Sequence, residues 1–240
     1  MKVFEMETTL ARLSIAHAIL SHNGHDDLTL GHMALRDPQS RGFWIKRAET
    51  GMRELAGARD FQLIDFDGKL ILGEGRQHSE WPIHSQLLKS RSDVNVSVHT
   101  HAHWPTLLSA CGGDMRAFTT DAGFLGRVKT LALEASHIDT LSLAEELALG
   151  LGDADALLLK NHGVAFVGRT IEHATLIGFY LVRAARAELR VRGAELGQRA
   201  EELKSIAGRA AMMKNDRWLL ESFDCLAGRL SSRPHGKEAR

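Results

Sequence analysis

The sequence predicts an α/β chain: one domain built on a mixed or antiparallel sheet. Three observations carry this reading. Apolar runs with strand-like alternation are interspersed with helical runs along the whole length. Adjacent strand runs are joined by hairpin signals as often as by helices. Across 240 residues there is no internal repeat, low-complexity segment or linker, and that length suits one large domain with a sizeable core.

In chain order, the first element is an amphipathic helix from about Thr9 to His22, with Leu10, Leu13, Ile15, Ala16, Ile19 and Leu20 apolar and Asn23-Gly24 as its stop. The run DLTLGHMALRDP predicts a strand ending in a turn at Asp37-Pro38, and GFWIKR predicts another. FQLIDFDGKLILGEG reads as a hairpin turning at Asp67-Gly68. Ser79 is placed to cap a helix entering through Glu80, Trp81 and Pro82, with Ile83, Leu87 and Leu88 as its buried stripe. A strand from Val94 to His101 follows, then a short helical run, PTLLSACGG, closed by Gly112 and Gly113. Ser142 to Glu145 forms a capping box for the helix LAEELALGL. ALLLKNHGVAFVG predicts two buried strands broken at Asn161-His162-Gly163. A long helix runs from about Thr170 into the 190s, and a further helical stretch holds Met212, Met213, Trp218 and Leu219. The last ten residues, 231–240, are expected to be a disordered tail.

Composition excludes several classes of function. Hydrophobic residues are 44% and charged residues 25%, an ordinary globular balance. Formal net charge is zero and no basic stripe appears, which argues against a nucleic-acid partner. No long apolar run marks a signal peptide or a membrane span. Cys111 and Cys225 lie far apart and read as free thiols of a reducing cytoplasm, with no thiolate metal site. The thirteen histidines are numerous and clustered.

In VNVSVHTHAHW, Val94, Val96 and Val98 alternate with Asn95, Ser97 and His99, the period-two pattern of a strand. His99 and His101 therefore share the non-valine face. An H-x-H pair on a strand is half of a metal site, because two neutral imidazoles converge on one point. Taken alone, it fits a pair of surface histidines equally well. His103 would join them only if the strand continued, and Pro105 argues that it does not. His162, held at a glycine-backed bend between two buried strands, is the best candidate for a third ligand, although by itself it reads as a turn residue.

Together VHTHAHW, KNHGV about sixty residues later, and SEWPIH upstream resemble the class II aldolase/adducin family. The resemblance runs from about Leu10 to about Leu189. It implies a three-layer α/β/α fold with a central mixed, largely antiparallel sheet, and a catalytic domain over residues 1–230. It also implies one divalent ion (zinc, manganese or cobalt) held by His99, His101 and His162, with Glu80 as acid/base. A homotetramer with active sites at subunit contacts is implied as well. Non-catalytic adducin-like modules lose the metal histidines, and this chain keeps all three.

Departures from the family pattern bear on substrate. Its sugar-phosphate aldolases cradle the phosphate with a glycine–asparagine–x–serine–x–arginine segment and a serine/threonine–glycine loop. Here GHMALR keeps Gly31 and Arg36 but carries His32 and Ala34, and IKRAETGMREL offers no clean serine-glycine pair. Charge and imidazole stand in their place, at His25, His32, Arg36, Lys46, Arg47, His78 and His84, of which roughly half are expected to lie away from the pocket. His32, Arg36, His84 and His103 are the expected substrate contacts, with Arg36 suited to a carboxylate. The expected activity is decarboxylation of a small hydroxylated aromatic or heteroaromatic carboxylate through an enolate-like carbanion. The alternative is a sugar-phosphate aldolase or epimerase.

Overall fold

The computed structural model describes residues 3–112, 114–133, 135–194, 200–204 and 207–232. Eight strands form one sheet in the order β4-β3-β2-β1-β5-β8-β7-β6. They are β1 (His32–Arg36), β2 (Phe43–Lys46), β3 (Phe61–Ile64), β4 (Leu70–Leu72), β5 (Val96–Thr100), β6 (Val128–Leu131), β7 (Ala156–Leu159) and β8 (Gly163–Gly168). Every neighbouring pair is antiparallel except β6 and β7.

Helices cover both faces, giving the expected three layers. On one face α1 (Val3–Leu20), α3 (His103–Ala110), α5 (Ile171–Gly193) and α7 (Asp216–Ser232) pack on Met33, Val96, Val98, Val164 and Phe166. On the other, α2 (Trp81–Ser90) and α4 (Leu141–Leu151) pack on Ala34, Ile45, Leu157, Ala165 and Val167. A short α6 (Ala207–Met212) precedes α7. No helix among the described residues is long and apolar enough to cross a membrane.

Several elements differ from the sequence expectation for identifiable reasons. The first helix starts at Val3 and continues through a π-turn over Ser21–His25, where Gly24 takes φ 98°. The strand expected from Asp27 begins only at His32, leaving Leu28 81% exposed in a loop. Gly31 lies just before that start and packs closely on Met52, where a Cβ would lie 2.7 Å from Sδ. Ser79 does not cap α2; its Oγ pairs with His137 Nε2 at 3.0 Å. The cap of α4 is Thr140, accepting from the Leu143 amide, rather than Ser142. The strand β6 was not expected, because VKTL is half-buried at the sheet edge and lacks an alternating pattern. Helix α7 runs through Ser232, and the rest of the expected tail, 233–240, lies outside the described residues.

Arg36 also departs from its expected role. It lies four residues from His32 on the same face of β1, roughly 13 Å along the strand. There its guanidinium donates to the carbonyls of Leu88 (2.6 Å), Arg91 (3.0 Å) and Val94 (3.1 Å). It thereby satisfies carbonyls left open where α2 ends and locks that end to the start of β5. Arg36 is a structural clamp and does not reach the histidines. Arg36→Ala should therefore cost about 2 kcal/mol, as charged hydrogen bonds do, and lower Tm by roughly 4–8 °C. Calorimetry alongside metal analysis checks this: the melt should shift while metal content stays at the wild-type level.

Candidate active site

Antiparallel register places the site. His32 on β1 is opposite His99 on β5, and His99 is opposite Ala165 on β8. The small alanine leaves room beside the His99 ring, on the face covered by α2. His101 follows β5 by one residue. His162 sits in the β7–β8 turn, preceded by Asn161 with φ 62°. Gly163 lets that turn close, since a Cβ on it would lie 2.6 Å from the Thr100 carbonyl and 2.8 Å from the His101 ring. One ring nitrogen from each of His99, His101 and His162 lies within 4.8 Å of the others, a spacing that could hold a metal ion.

Glu80 reaches this group from the N-terminus of α2, where the helix dipole favours an anion. It is 2% exposed. Its Oε2 lies 3.6 Å from His99 Nε2 and 3.7 Å from His32 Nε2, and its Oε1 lies 4.0 Å from His162 Nε2. The Ile138 amide donates to Oε1 at 3.0 Å, and His137, half exposed, stands 3.4 Å from the same oxygen. Burial opposes ionisation of Glu80, but the imidazoles and the Ile138 amide outweigh it and hold the carboxyl below its usual range. Burial drives His99 down to about 3 and His78 to about 4, and drives His32 and His84 well below 6.5. Near neutral pH His32, His78, His84 and His99 are therefore neutral imidazoles beside an ionised carboxylate.

The residues fit a divalent ion by their hydrogen positions. His99 Nδ1 lies 3.0 Å from the Val164 carbonyl, which only accepts, so the ring hydrogen is on Nδ1. Its buried Nε2 is left as a lone pair with no partner among the described residues. His101 Nδ1 donates to Asp27 Oδ2 at 2.5 Å, which likewise frees its Nε2. A carboxylate or carbonyl behind each imidazole is the usual outer support of a metal-binding histidine.

Of the other expected contacts, His32 lines the cluster and His84 does not face it. His84 is fully buried behind His32, joined Nε2 to Nδ1 at 2.6 Å. His103 is not brought to the site at all. The chain leaves β5 at Thr100 and turns at Ala102 into α3, so the period-two alternation ends and His103 lies exposed against Trp104. His25 is buried against Thr100 Oγ1 and the Gly178 carbonyl, and Arg47 pairs with Asp60. Lys46 is buried too, and its Nζ donates to the carbonyls of Thr29 (2.7 Å) and Thr50 (2.8 Å). It so fastens the loop carrying Asp27 to a threonine-glycine pair, Thr50-Gly51. Sequence reasoning missed Asp27, placed in an expected strand, and His137, placed in a segment without periodicity.

A cavity of ≈ 640 Å³ opens on His101 and His162, lined also by Leu133, Ser136, Lys160 and Asn161. Another of ≈ 690 Å³, beside Met6, Leu10, Trp44 and Phe61, holds none of the histidines.

The model of the Class II Aldolase and Adducin N-terminal domain matches residues 11–189. A 3,4-dihydroxyphthalate decarboxylase of Arthrobacter keyseri is 26% identical over 203 residues, 76% of this chain and 78% of that protein. An L-fuculose phosphate aldolase of Methanococcus maripaludis is 33% identical over 146 residues, 60% of this chain and 76% of the aldolase. The crystal structure of an aldolase II superfamily protein from Pseudomonas syringae superposes with a TM-score of 0.80 at 23% identity, covering 93% and 92% of the two chains.

Asp27 stands behind His101, a candidate ligand, and is not itself among the three candidates. Asp27→Ala should therefore weaken zinc binding about 10–100-fold, the range for such outer supports, and leave the fold intact. Titration against a competing chelator measures this, with His99→Ala as the reference for an emptied site. Wild-type affinity in Asp27→Ala would remove Asp27 from the site.

Proposed function

The chain belongs to the class II aldolase and adducin family, and from that premise we propose that it is a divalent-metal-dependent lyase that decarboxylates a small hydroxylated aromatic or heteroaromatic carboxylate. A divalent ion at His99, His101 and His162 would supply a Lewis acid with open positions for substrate oxygens. The observation that carries the substrate class is the wall beside Glu80. It is built from buried, neutral His32 and His78. Its nearest cation, Lys46, is committed to backbone carbonyls. Such a wall holds a phosphate dianion poorly, since a desolvated dianion needs several charged or preorganised donors. It suits a carboxylate that leaves as neutral CO2. Lys160, on the cavity rim, takes the part expected of Arg36 by pairing with a second carboxylate of the substrate.

Glu80 handles the proton. Its carboxylate removes the hydroxyl proton of the substrate; as the carbon–carbon bond breaks, its electron pair stays on the ring carbon. Glu80 then returns the proton to that carbon, and a proton from water restores the hydroxyl. Net, one proton is consumed and one CO2 released. A second reading, a sugar-phosphate aldolase, is favoured by Thr50-Gly51, a pair of the kind that cradles phosphate in the family. The resemblance also supports a homotetramer, and the edge strand β4, with Leu70, Ile71 and Leu72 exposed, is a surface another copy would cover.

Two measurements test the reading. Glu80→Gln should keep zinc while lowering turnover roughly 10²–10⁴-fold, the contribution of a general acid–base group; turnover within a few-fold of wild type would move the proton chemistry to another residue. On one zinc-replete preparation, kcat/KM should be higher for 3,4-dihydroxyphthalate than for L-fuculose 1-phosphate. The opposite order would establish the aldolase reading instead.

A further inference from the structure

His84 touches neither the ligand histidines nor the cavity, yet it is fully buried and hydrogen-bonded at both ring nitrogens. Its Nδ1 lies 2.7 Å from Ser97 Oγ, and its Nε2 lies 2.6 Å from His32 Nδ1. His32 Nε2, the far end of this chain, is buried, has no partner among the described residues, and points at Glu80 Oε2 from 3.7 Å. Three polar side chains thus run in line from the sheet to the carboxylate.

Neutral imidazoles allow two directions of hydrogen bonding along this line, and the ends decide between them. If His84 Nδ1 donated to Ser97, the serine hydroxyl hydrogen would need another acceptor. Among the described residues Ser97 Oγ has none but His84. In addition, His32 Nε2 would carry a lone pair facing the Glu80 carboxylate. If instead Ser97 donates to His84 Nδ1, then His84 Nε2–H donates to His32 Nδ1, and His32 carries its hydrogen on Nε2, towards Glu80. Every donor within the line then meets an acceptor, as buried polar groups require, and the one hydrogen left over, on His32 Nε2, faces the carboxylate side of the site. We infer that His84, anchored by Ser97, is a positioning residue that fixes His32 as a neutral N–H donor into the active site.

The cross-strand pair His32 and His99 then does two different jobs with one residue type. His99 has a carbonyl behind it and turns a lone pair to the site. His32 has an N–H behind it and turns an N–H to the site. His32 is so excluded as a metal ligand, although it sits with His78 and Glu80 in a group that has ligand-like spacing. Resting on the lyase reading above, the N–H of His32 is the donor for the oxygen of the substrate that gains charge as the carbon–carbon bond breaks. A donor of this kind stabilises such charge without adding a positive one. The hydrogen position itself holds whichever substrate is turned over.

Nitrogen-15 NMR of histidine-labelled, zinc-loaded protein tests the inference without substrate. His32, assigned through its loss in His32→Asn, should show the Nε2–H tautomer. His84→Gln can accept from Ser97 and donate to His32, and should keep that tautomer. His84→Leu cannot donate, and His32 should shift towards Nδ1–H or a mixture. A Nδ1–H tautomer in wild type would overturn the inference, as would an unchanged His32 signal in folded His84→Leu, or a second zinc per chain lost in His32→Asn. Because no turnover enters, failure here and failure of the substrate comparison are separate results.

Discussion

The register of β1, β5 and β8 is the constraint on which the site depends. His32, His99 and Ala165 stand in one row across these strands, facing α2, while Met33, Val98 and Val164 face the opposite core. A slip of one residue on β5 would carry His99 into that apolar core and put Val98 beside Glu80. Both faces of the sheet are covered by helices, so the first exchange would bury an unpaired imidazole and the second would leave the Glu80 carboxylate against a methyl group. That penalty is what specifies the register. The same pairing sets His99 Nδ1 against the Val164 carbonyl, so that fixing the backbone also fixes the tautomer.

Burying this many polar groups in one layer is tolerable only because nearly every one has a second partner. Asp27 stands behind His101, Ser97 behind His84, and the Ile138 amide against Glu80. Lys46 contributes at a distance: it ties the Asp27 loop to the Thr50 loop through two carbonyls, and burial lowers it only to about 8, so it stays mostly charged near neutral pH. Six buried side-chain atoms have no partner among the described residues: three gather at the site, on His32 Nε2, His99 Nε2 and His162 Nδ1, and three lie apart, on Arg47, Gln62 and Thr119. Open polar atoms that gather at one place mark where a ligand belongs.

Much of this was legible in the sequence where local pattern and chemistry coincide. The H-x-H on an alternating run, the N-H-G bend and a glutamate just ahead of a helix each carry their geometry with them. Asp27 was not legible, because its approach to His101 depends on a non-repetitive loop in which Leu28 takes φ 51°. His137 was missed for a similar reason, its segment having no periodicity to place it. Arg36 was misplaced by a subtler error. The family segment GHMALR placed it beside His32, but a segment match says nothing of distance, and four residues of strand separate the two. His103 shows the converse: its spacing matched, but the strand stops before it as Pro105 argued, so its place among the substrate contacts did not follow from the pattern.

Family membership and substrate are separable because aldol cleavage and decarboxylation share their hard step. Each breaks a carbon–carbon bond and leaves an electron pair that a Lewis acid and oriented donors must hold, so the roles proposed for the three histidines and the carboxylate would serve both. What differs is the charge of the piece that stays bound. A sugar phosphate keeps a dianion in the pocket throughout, whereas a decarboxylation sheds a charged group as a neutral gas. A wall of buried imidazoles that stay neutral, with its one lysine held by carbonyls, offers little to the first and does not hinder the second. His32 sharpens the point. Where the aldolase pattern has an asparagine amide, this chain has a ring backed by His84, which can give one hydrogen bond in one direction and no charge.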